Sequence, residues 1–357
     1  MRNGFNTAGF SEVVHEIVNE PAEAYFDYCV HGRRSPHNGL SARLGPALFG
    51  TVKSSRDAVI SLRDGRDHAE WCDRTVPTVV DMALTGIGSC MLTTLIGGGS
   101  TRGAIFDTAR MAVDYVVPQA GADEEPAVEC TFKISGASSD ELFDELVRQV
   151  QSFSPNFVSI REPIPIVMRV PSGTEWADFT YSGDSKGHLP GVSSGCDLRW
   201  VSGPQSESRP RPATDVPALR VDAPKQLTGV DWGPNPQEYL LMGLAAELAG
   251  RLFELARGTE LAGLPWEVTA TAREDVRGFF HSDEGVAVHL QDVVCTVVPP
   301  RDGFDGLAEL IERAARESVV CALLTGSHAI EVRWEPEELD NDELYTVYPS
   351  FRPAIGE

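Results

Sequence analysis

The chain has 357 residues, enough for two domains of ordinary size. Its 42% hydrophobic and 23% charged content is that of a soluble globular protein and excludes a disordered or fibrous one. A net charge of −23 argues against a nucleic-acid surface, because the densest basic runs are only Arg33-Arg34 and Arg209 with Arg211.

Residues 1–20 carry a weak helical pattern (Phe10, Val13, Val14, Ile17, Val18) and read as an N-terminal arm. They are too polar and too acidic for a signal peptide. The seven cysteines are scattered and form no CxxC pair, so a reducing cytoplasm is expected. Between 24 and 62, the alternating runs AYFDYCVHG, ALFGTVKSS and DAVISL, punctuated by Gly, Pro, Asn and Ser, predict a small antiparallel sheet. Next comes the apolar stretch 76–96, VPTVVDMALTGIGSCMLTTLI, a long helix with Cys90 at its middle and an expected stop at Gly97-Gly98-Gly99. Residues 82–101 hold no charge and are long enough to span a bilayer. Their Gly and Thr content, and the charges of a matching helix further on, predict burial in protein and no membrane.

Two strand-like runs follow, FDTARMAVDYVVP and AVECTFKI, then the helix SSDELFDELVRQVQSF with Ser and acids in its first turn. SPNFVSIREPIPIVMRV closes this half as a turn and a strand. Residues 171–195, rich in Gly, Ser and Pro, read as a linker. CDLRWVSG and ALRVDAPKQL are expected as strands around a mobile polar loop, GPQSESRPRPA. A second long apolar helix, 236–256, is entered through a proline and carries Glu247 where the first has Cys90. Strands EVTATARED and AVHLQDVVCTVVP, the helix FDGLAELIERAARES and the strand HAIEVRWE complete the chain.

The order of elements therefore occurs twice. Cys130 answers Cys295, Leu142 answers Leu307, Ser154 answers Ser318 and Ile166 answers Ile330, at an offset of roughly 165 residues. One internal duplication explains the chain and predicts domains at 21–170 and 196–357. Packed together, these would form an α+β pseudo-dimer around the two apolar helices.

The run GVDWGPNPQEYLLMGLAAEL resembles the GPxPxELLLAALxxC pattern of the OsmC/Ohr superfamily. SPNFVSIREPIPIV and SVVCALLTGSHAIEV are similar to that family's CPVSxALxxxxPIEV ending. The resemblance covers roughly 20–170 and 195–336. It implies an α+β fold, normally an intertwined homodimer, that reduces organic hydroperoxides with a cysteine pair. A tandem chain would supply both halves and act as a monomer with internal pseudo-twofold symmetry. Carried over, the reactive cysteine falls on Cys90 and on Glu247, and the resolving cysteine on Ser154 and Ser318. Cys321 lies near Ser318 but in the half without the reactive thiol. The acidic residue nine positions before the cysteine becomes Asp81 and Glu238, and the activating arginine of the N-terminal sheet is assigned to Arg34 or Arg33.

The resemblance implies a single-cysteine hydroperoxide reductase acting through Cys90 and an external thiol reductant. In isolation, a cysteine in an apolar helix is more often an inert packing residue. Asp81 lies half a turn out of phase with Cys90 and about 13 Å along an unbroken helix, so either Gly86 and Gly88 kink the helix or each carboxylate serves a site across the interface. Glu247 is costly to bury without a partner. It is expected to pair with Arg251 on a partly exposed face, or to serve with Glu238 as acid, base or, with His281 or His289, metal ligand. No other cofactor is expected. The alternatives to peroxide chemistry are an acid/base or metal-assisted enzyme acting on an apolar metabolite in the pocket between halves, and a non-catalytic small-molecule-binding protein.

Overall fold

The computed structural model describes residues 2–64, 75–118, 125–172, 175–183, 193–211, 215–301 and 303–337. Helix α1 (Thr7–Asn19) is followed by strands β1 (Tyr25–Ser35), β2 (Gly39–Leu44), β3 (Ala47–Phe49), β4 (Val52–Ser54) and β5 (Val59–Leu62). Then come helix α2 (Val79–Thr101), strands β6 (Phe106–Val116) and β7 (Ala127–Gly136), helices α3 (Asp140–Phe153) and α4 (Pro155–Arg161), and strands β8 (Ile166–Ser172) and β9 (Glu175–Tyr181). The remainder supplies β10 (Ser193–Ser202), β11 (Gln205–Arg211), β12 (Leu219–Val221), α5 (Pro236–Leu255), β13 (Trp266–Asp275), α6 (Val276–Phe279), β14 (Gln291–Val298), α7 (Leu307–Arg316), α8 (Val319–Thr325) and β15 (Ala329–Pro336). The fold is mixed α+β, as the alternation of patterns predicts.

The larger sheet runs β4-β3-β1-β13-β14-β8-β9, with β2 on β1 and β5 on β2; the smaller runs β12-β11-β10-β6-β7-β15. Strands from the two parts of the chain exchange. In the larger sheet β1 pairs with β13, and β8 lies parallel to β14. In the smaller sheet β10 pairs with β6, and β15 lies parallel to β7. Helix α5 packs on β1, β2 and β13, α2 on β10, β6 and β11, and the two helices pack on each other.

Both helices begin with a reciprocal cap. Thr78 with Asp81, and Asn235 with Glu238, each form a capping box, and Pro236 occupies the first turn of α5. The expected stop of α2 at Gly97-Gly98-Gly99 is incorrect. The helix runs on to Thr101 and ends where Gly103 adopts φ +93°, with Ala104 N–H donating to Gly99 O at 2.8 Å. Gly99 is small for a packing reason, since a Cβ there would lie 2.7 Å from the Phe106 ring. The most apolar window of this helix is 94% buried within the protein.

Two further expectations are corrected. The polar loop expected between two strands is itself strand β11, with Ser206, Ser208 and Pro210 turned inward. Its alternation is masked because the inward residues are small and polar; Ser208 and Thr85 hydroxyls meet at 2.7 Å across α2. Within 171–195, read as a linker, β9 pairs with β8 as a hairpin.

The two long helices cross in backbone contact. A Cβ on Gly86 would lie 2.6 Å from Pro236 O, and one on Gly243 2.7 Å from Val79 O. Gly243→Ala is therefore expected to destabilise the protein by about 1–3 kcal/mol despite its better helix propensity. Gly98→Ala, where an added methyl meets nothing within 4 Å, is expected to stabilise it by about 0.5–1 kcal/mol. Urea denaturation midpoints compare the two; equal stabilisation would mean that the backbones are not in contact.

Candidate functional site

Cys90 sits at the middle of α2, 3% exposed, and faces the start of α4. Burial pushes its thiol up to about 12, opposed by the Ser154 side chain and the Asn156 backbone N–H at the sulfur, while the Glu274 carboxylate raises it further. The neighbours that shift it are two hydrogen-bond donors and one carboxylate, with no cation among the described residues. Ser154 Oγ lies close enough to the sulfur to favour the thiolate yet makes no hydrogen bond of good geometry, and Asn156 Oδ1 has no partner either. Both residues are fully buried. Unpaired polar atoms in a dry core are costly, and here both belong to the two residues that approach one thiol.

The corresponding place on α5 is saturated. Glu247 accepts from Ser318 Oγ at 2.6 Å, Val319 N–H at 2.9 Å and Val320 N–H at 2.8 Å, so its carboxylate caps α8. The expected partly exposed face is in fact buried: Glu247 is 3% exposed and Arg251 is 7%. Arg251 ion-pairs with Asp64. Cys90 lies against α4 as Glu247 lies against α8, but a neutral thiol offers the waiting donors a far weaker acceptor.

Helix α2 is unbroken between Asp81 and Cys90. Asp81 accepts from Thr78 N–H at 2.8 Å and has a raised pKa, chiefly from burial. Glu238 accepts from Asn235 N–H at 2.9 Å and ion-pairs with Arg56; burial raises its pKa and Arg56 opposes the rise. Arg34 stacks on Phe253, 4.8 Å from the ring centroid, and Arg33 is exposed. Neither bears on the Cys90 thiol. The inward arginine of the N-terminal sheet is Arg56, between β4 and β5, and its partner is a carboxylate.

Glu274 is the residue that sequence reasoning missed. Its carboxylate is 2% exposed, accepts from Tyr28 Oη at 2.7 Å and bonds the Gln237 side chain. Burial raises its pKa to about 7, against those two hydrogen bonds and with a push from Asp275. Tyr28 is raised in turn by its own burial and by Glu274, Glu238 and Cys90, so β1, α5, α2 and β13 meet at one polar cluster. The available signal was phase: Trp266, Val268, Ala270, Ala272 and Glu274 occupy the same inward face of β13.

One turn along α2, Thr94 hydroxyl donates to Cys90 O at 2.8 Å and lines a cavity of about 530 Å³. Helix α1 walls this cavity with Phe10 and Val14, opposite Phe153 and Phe280, and the Phe10 and Phe280 rings meet edge to face at 5.2 Å. His281 adopts φ +50° and packs its ring 4.6 Å from Phe153. His289 Nδ1 lies 2.8 Å from Leu290 O. The metal site considered from Glu247, Glu238 and these histidines is not assembled, and among the described residues no group of three or more His, Cys, Asp or Glu side chains is placed to hold a metal. The six cysteines within the described residues are free thiols; Cys72 lies outside them.

No family model matches the chain, and no curated protein sequence matches it significantly.

Removing the Glu247 carboxylate would leave the Ser318 hydroxyl and two α8 amides buried without an acceptor. Glu247→Ala is expected to cost about 3–5 kcal/mol, with accelerated hydrogen exchange at Val319 and Val320. Unchanged exchange there would refute the capping role.

Proposed function

We propose that this chain is a tandem, OsmC-like protein of small-molecule metabolism, centred on the polar cluster around Cys90 and working by proton transfer rather than hydroperoxide reduction. The duplication reading is supported by matched motifs and by the reciprocal strand exchange between sheets. A second constant offset, of 157 residues, separates Asp81 from Glu238, Gly86 from Gly243 and Cys90 from Glu247. In this reading the two halves form an internal pseudo-dimer, the half with Glu247 is structural, and the substrate is an apolar molecule approaching through the aromatic cavity beneath α1.

One observation carries the proton-transfer reading. Near neutral pH, Glu274 is poised to exchange a proton at about 7, whereas Cys90 at about 12 stays protonated and is a poor nucleophile. Glu274 would take or give the proton, Tyr28 and Gln237 would orient its carboxylate, and Arg56 would pair with Glu238 beside them. A second reading, single-cysteine peroxide reduction with an external thiol, is favoured by the unpaired Ser154 hydroxyl and the Asn156 N–H, which would stabilise a thiolate formed on demand.

Mass spectrometry of protein treated with cumene hydroperoxide separates the two. The expected result is that Cys90 is oxidised no faster than the half-buried Cys29. Fast, selective oxidation of Cys90, abolished in Cys90→Ser, would overturn the proton-transfer reading.

Glu274 also gives a pH signature. Its carboxyl titrates near 4.5 when unfolded and near 7 when folded, so between these values the folded state holds the extra proton. Stability therefore falls as pH rises through this window and levels off above it, a loss on the order of 3 kcal/mol. Glu274→Gln is expected to remove that loss and to exceed the wild type in stability above pH 7. Parallel pH profiles of the two proteins by chemical denaturation would show instead that Glu274 is ionised throughout.

A further inference from the structure

The outer face of the smaller sheet, on the side away from the Cys90 cluster, carries a feature that sequence runs do not show. Across β10, β6 and β7, Arg199 stands opposite Arg110 and Arg110 opposite Lys133. Three cations thus occupy directly opposed positions on adjacent strands, an arrangement that is destabilising unless compensated, and the row ends in one carboxylate, Glu335 of β15 opposite Lys133. The neighbouring row is Arg209, Asp197, Ala112 and Thr131. The short side chains Ala112 and Thr131 leave a floor beneath the long cations, and the groove so formed has a volume of about 640 Å³.

Compensation within the groove is incomplete. Arg199 ion-pairs with Glu207 at 2.9 Å, Arg211 with Asp197 at 3.1 Å and Arg110 with Glu337 at 3.1 Å. Those pairs use all three acids of the lining, whereas Lys133 and Arg209, both exposed, make no ion pair within 4 Å among the described residues. The groove is therefore positive within a chain of net charge −23. It already accepts one carboxylate: Glu337, beyond the end of β15, lies with its side chain 8% exposed against Arg110 and Thr108.

We infer that this groove is an anion-binding site for a small organic dianion, a phosphate ester or a dicarboxylate, held over Ala112 and Thr131 by Lys133 and Arg209. Arginine forks match the paired oxygens of either group, and lysine adds a point charge. The site is independent of the chemistry assigned to Cys90 and Glu274.

Calorimetric titration of the full chain with inorganic pyrophosphate, and separately with succinate, in low-salt buffer of matched ionic strength tests this inference. Saturable binding of at least one probe is expected, weakened about tenfold or more in the double variant Lys133→Ala/Arg209→Ala. Arg273→Ala, on the other sheet, should bind like the wild type. Circular dichroism establishes that the variants are folded, as expected for exposed positions. Absence of saturable binding by either probe, or equal affinity in the double variant, would overturn the assignment; pyrophosphate binding without succinate binding would narrow it to phosphate esters.

Discussion

Everything in this structure depends on the close crossing of α2 and α5. Two apolar helices can approach to backbone contact only where neither carries a side chain, and Gly86 and Gly243 supply those points. The approach lets each helix bury its whole circumference, one against each sheet and both against each other. Strand exchange follows the same logic, because with β13 between β1 and β14, and β6 between β10 and β7, neither sheet is complete without strands from both parts of the chain. The helix crossing and the exchanged sheets reinforce one another, and the chemistry-bearing residues sit at their junction.

At that junction two similar places have opposite electrostatic outcomes. Beside α8, the Glu247 carboxylate meets a hydroxyl and two amides, and the site is closed. Beside α4, a thiol meets the same kind of donors and leaves Ser154 and Asn156 with unsatisfied oxygens. Burial keeps the thiol neutral, while Glu274, with Tyr28 and Gln237 as partners, retains a proton affinity near neutrality. The aromatic cavity under α1 lies one turn along α2 from this cluster, at Thr94. Helix α1, within the stretch that reads as an N-terminal arm, supplies one wall of it.

The same helix pattern that makes burial economical makes charge conspicuous elsewhere. With the interior apolar and the total charge strongly negative, cations are distributed mostly in ion pairs. On the smaller sheet, strand alternation places every second residue of β6, β7, β10 and β11 on one outer face, and pairing register stacks Arg199, Arg110 and Lys133 side by side even though the first two also hold ion pairs. A net negative chain can thus carry a local positive groove. Runs along the chain show only Arg33-Arg34 and Arg209 with Arg211, whereas register across strands gathers cations that are far apart in sequence.

The sequence by itself determined what local interactions determine. It set the two long helices through their capping boxes, the alternating strands of the N-terminal sheet and of β13, the order of elements in both parts of the chain, and the placing of Cys90 and Glu247 mid-helix. These are readable because caps and periodicity act within a few residues. Tertiary structure decided the rest. The helix runs past Gly97-Gly98-Gly99 to Thr101 while the Phe106 ring packs on Gly99, and β11 turns its serines inward, where Ser208 meets Thr85. The pairing of Arg56 with Glu238, the meeting of Glu274 with Cys90 and Tyr28, and the row Arg199, Arg110, Lys133 all depend on contacts between segments separated in sequence. Such pairings are selected by the summed burial of whole faces, which no single stretch of residues encodes.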